Sequence, residues 1–320
     1  MSAVTGDTSR GISEQAATRL ATLDALLPAP VVAAGCGAEL VVTGPGGSTV
    51  ALGTCEHWTG EPGSLDLTWG AARRFHLTPQ VAGPDVAATL DGLLARWRDH
   101  LAALPDAAEA DTAAVITWPT RDIDGAQPLL GHGLAPRAVI AARTAGRRAA
   151  APVPVDPDVR IRRAGPADLD AVVRLGLETI RYDAHFGTVI ERPETPAALR
   201  REAGQVLAAP EPWVWLAERD GAPIGLLYAE RPELAGWIAP MVGAEPVAYL
   251  ELMDVLPGER GSGVAGALAA QLHQAADDSG VAVTLLHYEQ VNPLSGPFWS
   301  QQGYRPLWTT WEARPASSLR

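Results

Sequence analysis

Apolar positions along the second half of the chain change period several times, and each change marks an element. The run "VRIRRA" alternates as a strand does, and "GPADLDAVVRLGLETI" then reads as a helix opened by Pro166 near its first turn, with Asp168 close by. A second helix is expected around "TPAALRREAGQVLAA". Two apolar runs flank "RDGAP" in the stretch from Trp213 to Arg231, the layout of a hairpin closed by a glycine turn. "PVAYLELMDV" (Pro246 to Val255) is a further strand, and after it Ala265, Leu268, Ala269 and Leu272 recur at helical spacing. "VAVTLLHY", "PLSGPFWSQQ" and "YRPLWTTWEA" complete the series as strand, short helix and strand. Between the "PVAYLELMDV" strand and the alanine-rich helix stands "RGSG", so the glycines occupy a strand-to-helix junction. Such a junction leaves the first N–H groups of the helix unpaired at the positive end of its dipole. Gly261 and Gly263 let backbone approach an anion closely, and Arg260 adds a fixed positive charge.

At 320 residues the chain is expected to hold two domains. The stretch "TAGRRAAAPVPVDPD" suits a linker, which gives a polar lead and helix over 1–29, a first domain over 30–145, a linker over 146–158 and a second domain over 159–320. No run of 18 apolar residues occurs, and the N-terminus lacks the layout of a secretion signal, so a cytoplasmic protein with no membrane span is expected. Cys36 and Cys55 have no metal or redox spacing and read as buried thiols. The formal charge of −12, with arginine as the only strong base, argues against a nucleic-acid surface and suits a cationic partner or plain solubility.

The order strand, two helices, three strands, helix, strand, helix, strand, with Arg260-Gly261-Ser262-Gly263-Val264-Ala265 after the fourth strand, resembles the GNAT superfamily of acyl-CoA-dependent N-acyltransferases. A second motif of that superfamily is matched in its intervals by Asn292, Ser295, Phe298, Trp299, Gly303 and Tyr304. The first half repeats part of it: Asp122, Gly125, Gly133 and Leu134 lie 170 residues before Asn292, Ser295, Gly303 and Tyr304. Gln80, Gly83 and Asp85 fall where the glycine loop would be, but Pro84 removes an amide donor and Asp85 repels phosphate. The expected fold is therefore α/β (α+β), two GNAT-like domains, each a mixed, mostly antiparallel sheet flanked by helices, the first degenerate. "GPGGS" (Gly44 to Ser48) is expected to be a hairpin turn.

The resemblance implies acetyl-CoA as co-substrate, no metal, and transfer of the acetyl group to a primary amine of a small molecule by direct attack on the thioester. It implies cofactor contacts at Met253, Val255, Arg260, Gly261, Ser262, Gly263, Val264, Ala265, Asn292 and Phe298. Glu251, where many members carry a glutamate base, is the first choice for that role, and Asp254 the second. Alternation puts Glu251 and Met253 on one strand face and Leu250, Leu252 and Asp254 on the other. The usual tyrosine acid is replaced by Trp299, whose indole is no acid, which leaves Ser295, Ser300, Tyr304 or an unassisted thiolate. Acceptor contacts are expected from Tyr182, Asp183, His185 and Phe186, and His185 is a further choice of base. Trp215, Tyr228 and Trp237 could form an aromatic wall or belong to the core. A non-catalytic acyl-CoA-binding sensor or assembly protein, and a protein or peptide N-acetyltransferase, stand as alternatives.

Overall fold

In the computed structural model, residues 6–30, 37–44, 47–147, 149 and 154–320 are described. Cys36, two positions of the Gly44–Ser48 turn and five positions of the expected linker lie outside them. The first half runs α1 (Gly6–Leu23), β1 (Ala38–Thr43), β2 (Thr49–Thr59), β3 (Arg73–Val81), α2 (Val86–Ala102), β4 (Thr112–Pro119), α3 (Ala126–Gly131) and β5 (Ala135–Thr144). The second runs β6 (Val159–Arg163), α4 (Leu169–Ala184), α5 (Thr195–Ala208), β7 (Val214–Arg219), β8 (Ala222–Glu230), β9 (Val247–Val255), α6 (Val264–Asp278), β10 (Val283–Glu289), α7 (Ser295–Gln301) and β11 (Arg305–Ala313). That second series is the order read from the hydrophobic pattern.

All eleven strands form one sheet in the order β1-β2-β3-β4-β11-β5-β10-β9-β8-β7-β6. Only β3/β4 and β9/β10 run parallel, and the other neighbours are antiparallel. The mixed, mostly antiparallel sheet flanked by helices is thus present, with one feature the sequence did not disclose. Each half sends its last strand into the other: β5 lies between β10 and β11, and β11 lies between β4 and β5. Their mostly apolar inner positions show why this closes the core. Val139 and Ala141 of β5 pack with Leu268 and Leu272 of α6, while Trp311 and Ala313 of β11 pack with Leu93 and Leu94 of α2. A strand buried on both faces gains apolar burial from two helical layers at once.

The two parallel pairs position the sites. β9 and β10 stay in register only from Val247/Val283 to Leu250/Leu286, and β3 and β4 only from Arg73/Thr112 to Leu77/Ile116. Beyond those points the strands splay, leaving backbone groups without a ladder partner. α6 is held against the sheet by Val264, Leu268, Ala269, Leu272 and Ala276, all buried at helical spacing. α4 and α5 cover the other face through Leu175, Ile180 and Leu199 packed on Leu216, Leu226 and Leu252. None of the described helices is long and apolar enough to cross a membrane.

Candidate functional site

α6 begins at Gly263, which has φ +85°, and Gly261 has φ +82°, both in the left-handed region that glycine enters without a Cβ penalty. No side chain caps this helix, and the N–H groups of Gly261, Gly263, Val264 and Ala265 have no acceptor among the described residues. The turn is nevertheless fixed. Ser262 Oγ donates to Glu259 O (2.5 Å), Arg219 holds the Glu259 carboxylate (3.0 and 3.2 Å), and Arg260 Nε donates to Val255 O (3.1 Å). The Arg260 guanidinium lies 4.9 Å from the centre of the Tyr182 ring. A rigid nest of free donors beside a guanidinium fits the pyrophosphate of coenzyme A.

From this turn a cavity of about 1550 Å³ runs between the splayed ends of β9 and β10 to an aromatic and acidic end. Glu251 is one of its lining residues. β9 carries a bulge there: Leu252 pairs with Tyr228 and Leu250 with Ala229, which leaves Glu251 without a partner on β8. The bulge corrects the alternation expected from sequence. Leu250 and Met253 both face the α6 core, whereas Leu252 packs under α4 and α5. Glu251 is freed from both faces and lines the cavity.

The carboxylates there repel one another in a place of low dielectric. Burial, followed by the charges of Glu230, Glu202 and Asp66, pushes the Glu251 carboxyl up to about 8. Asp254 is 6% exposed with Oδ2 unpartnered, and burial raises it to about 6 against the pull of Arg260. Burial likewise raises Asp183 to about 6, although Asn292 Nδ2 donates to its Oδ1 (3.2 Å). On β10, His287 is held neutral by burial at about 4 and shares a hydrogen bond of 2.9 Å with Tyr249. Trp237 stacks on His287 with ring planes 9° apart and donates to Glu230 (2.8 Å).

Of the expected positions, Tyr182, Asp183, Glu251, Met253, Asp254 and Val255 line the cavity. So do Arg260, Gly261, Gly263, Ala265, Asn292, Ser295 and Phe298. Asn292 is a structural clamp as well: its Oδ1 accepts from the N–H groups of Leu294 and Ser295, fixing the start of α7. Other positions fall elsewhere. Val264 is core, and Ser262 turns its hydroxyl into the loop. His185 is exposed and bonds back to Arg181 O, and Phe186 packs edge-on against Tyr182 outside the lining. Tyr304 is 2% exposed behind Trp299 and His273, with its hydroxyl unpartnered, so it cannot meet a group in the cavity. Trp215 and Tyr228 belong to the core, and of the three aromatics weighed as a wall only Trp237 borders the cavity. Ser300, at the exposed side of α7, is not among the lining residues.

Sequence reasoning missed Trp69, Glu202, Tyr249, His287 and Tyr288, which also border the cavity. It missed above all that the first half builds part of the wall, through Trp58, Asp66, Trp69, Arg74 and Ile140. The turn that carries Asp66 and Trp69, Leu65–Trp69, is docked on the second half. Thr68 Oγ1 and Thr195 Oγ1 are 2.9 Å apart, Ile190 N donates to Thr68 O (2.8 Å), and Arg192 Nε donates to Leu67 O (2.8 Å).

At the counterpart position in the first half, Asp85 caps α2 by accepting from Ala88 N (2.9 Å). α1 lies over the splay of β3 and β4: Ser13 donates to Gln80 (2.6 Å), Ile12 packs on Leu52 and Ala82, and Arg19 pairs with Asp122. Cys55 is a buried thiol, pushed up to about 12 by burial.

The acetyltransferase (GNAT) family model matches residues 177–304. No curated protein matches the chain. Among solved structures, a GCN5-related N-acetyltransferase from Sphaerobacter thermophilus superposes with a TM-score of 0.54 at 16% identity, over 87% of this chain and 80% of that one. Another, from Kribbella flavida, gives 0.45 at 17% identity over 97% and 95% of the two chains. A tandem GNAT protein from the clavulanic acid biosynthesis pathway gives 0.41 at 15% identity over 97% and 96%. The segment that matches the GNAT family model runs from within α4 to the residue before β11 and contains both the free α6 turn and Glu251.

Proposed function

We propose that the protein moves an acetyl group from acetyl-CoA to a primary amine of a small molecule. The observation that carries this reading is the continuity between the uncapped α6 turn and the Glu251 carboxyl through one cavity. The turn at Arg260 to Ala265 would hold the pyrophosphate, and the unpaired edges of β9 around Met253 and Val255 would hold the pantetheine arm. The bound thioester supplies an activated acyl carbonyl. Glu251, directly or through water, takes the proton from the incoming ammonium, and the freed amine attacks the carbonyl carbon. The C–N bond forms, the nitrogen gives up its second proton to the medium, the C–S bond breaks, and the thiolate leaves with a proton from the medium or a lining hydroxyl. Ser295 and Tyr288 are hydroxyls in the cavity beside α7, Tyr288 packing 3.6 Å from where a Cβ on Gly296 would lie. Asn292 and Asp183 keep α7 against α4.

The buried indole at Trp299 supports a second reading, an acyl-CoA-binding protein without transfer chemistry. Release of free thiol from acetyl-CoA, followed across a library of amines and peptides with mass detection of acetylated product, separates the two. Thiol release above hydrolysis with a small amine supports transfer. Tight acetyl-CoA binding without release for any member sinks it, and acetylation of peptides alone would assign the cavity to a peptide terminus.

A further inference from the structure

Four carboxylates, Asp66, Glu202, Glu230 and Glu251, border the acceptor end of the cavity, and among the described residues none has an arginine within ion-pair distance. Elsewhere the chain places its arginines on acids readily: Arg162 serves both Asp168 and Glu218, and Arg305 serves Asp24. A fifth carboxylate makes the same demand independently. Glu289, on the cavity side of β10, is 6% exposed, and its Oε2 has no hydrogen-bond partner. A buried carboxylate oxygen without a hydrogen-bond partner costs free energy that a cationic ligand would recover.

The acids are also spread along the cavity. Glu251 lies at the splay of β9 and β10, whereas Asp66 comes from the first half, on the turn pinned to α5 by the Thr68–Thr195 contact and by Arg192. Glu202, on α5, faces that same end. Trp69 and Trp237 present aromatic surface beside them.

We infer that the acceptor is a compound with at least two positive charges: one ammonium is placed at Glu251 for transfer, and a second is held by Asp66 and Glu202 across the seam between the halves. An apolar spacer would lie against Trp69 and Trp237, whose faces also favour cations. The assignment rests on the amine-transfer reading, and it adds that the first half selects the acceptor. Burial raises the carboxyls of Glu251 and Glu202, the charges of the neighbouring acids add to it, and a dication entering between them relieves that added repulsion.

The test is titration calorimetry on the whole chain with 1,4-diaminobutane, spermidine and the monoamine butylamine, at low and high salt. The two polycations should bind about 10-fold tighter than butylamine or better at low salt, with the gap narrowing as salt rises. Asp66→Asn and Glu202→Gln should each lower polycation affinity about 3- to 10-fold and change butylamine affinity by a smaller factor, so that the preference for polycations shrinks. Equal affinities for monoamine and polycation, or an Asp66→Asn protein that keeps the full preference, would overturn the inference. Polycation binding with no acetyl transfer to any amine defeats the transfer reading and leaves only the polycation site standing. Transfer to monoamines and polycations with equal KM does the reverse.

Discussion

Asp85 and Gly263 occupy the same place at the start of α2 and α6, and only Asp85 carries a carboxylate that accepts from its own helix, at Ala88 N. The first helix start has thereby used a donor that the second leaves free. The two halves differ again above those turns, where α1 covers the splay of β3 and β4 and, among the described residues, no helix equivalent to it covers that of β9 and β10. Titration calorimetry with acetyl-CoA is therefore expected to give one site per chain. Two equivalent sites would mean that α1 yields to the ligand.

Gly263→Asp should convert the second turn into a copy of the first. The new carboxylate would cap α6 and repel the pyrophosphate at the same time. Its φ of +85° makes any side chain costly, by about 1 kcal/mol, though aspartate tolerates that region better than most residues. The expected result is loss of acetyl-CoA binding by more than about 100-fold with circular dichroism unchanged. Retained affinity in a folded variant would remove the loop from cofactor binding.

Exchange of β5 and β11 makes the halves interdependent. A fragment over 154–320 would lack β5 between β10 and β11 and would expose the apolar inner faces that Val139 and Ala141 cover. Exposed, unpaired edges of that kind invite aggregation. The fragment should be insoluble or molten, and the whole chain should unfold in one cooperative transition. A soluble fragment with a sharp transition of its own would show that the exchange is dispensable.

How far the sequence reached is visible in particular residues. The order of the second half, the α6 turn and the α7 clamp at Asn292 follow from local spacing, since periodicity and turn chemistry are properties of neighbouring residues. The exchange of β5 and β11 leaves no trace there, because an alternating strand reads the same whichever neighbour it has. The bulge at Glu251 escaped for a related reason: one unpaired residue shifts every later side chain to the other face, and no residue type marks it. Asp66 and Trp69 were invisible as site residues because their role depends on docking 127 residues away, where Thr68 meets Thr195.

The bulge also gives the sharpest test of mechanism. Burial and the charges of Glu230, Glu202 and Asp66 hold the Glu251 carboxyl at about 8, so at neutral pH most of the free protein carries it protonated. A base must be ionised to act, and kcat/KM should therefore rise with pH through about 8, best seen with an acceptor amine of low basicity that is already free at pH 7. Glu251→Gln keeps the size and loses proton acceptance, so it should lower kcat by about 100- to 10,000-fold, abolish that inflection and leave acetyl-CoA affinity alone. The same carboxyl has an opposite mark on stability. Its folded value lies above the ordinary 4.5, so between about 4.5 and 8 the native state binds more proton than the unfolded chain and loses stability as pH rises. Glutamine never ionises, so the Tm of the variant should gain on that of the parent from pH 5 to pH 9. Parallel Tm curves would mean that the carboxyl is not perturbed in the fold. Parental rates across the pH range would clear Glu251 as the base and shift the role to Asp254, the other unpaired acid on β9 that borders the cavity.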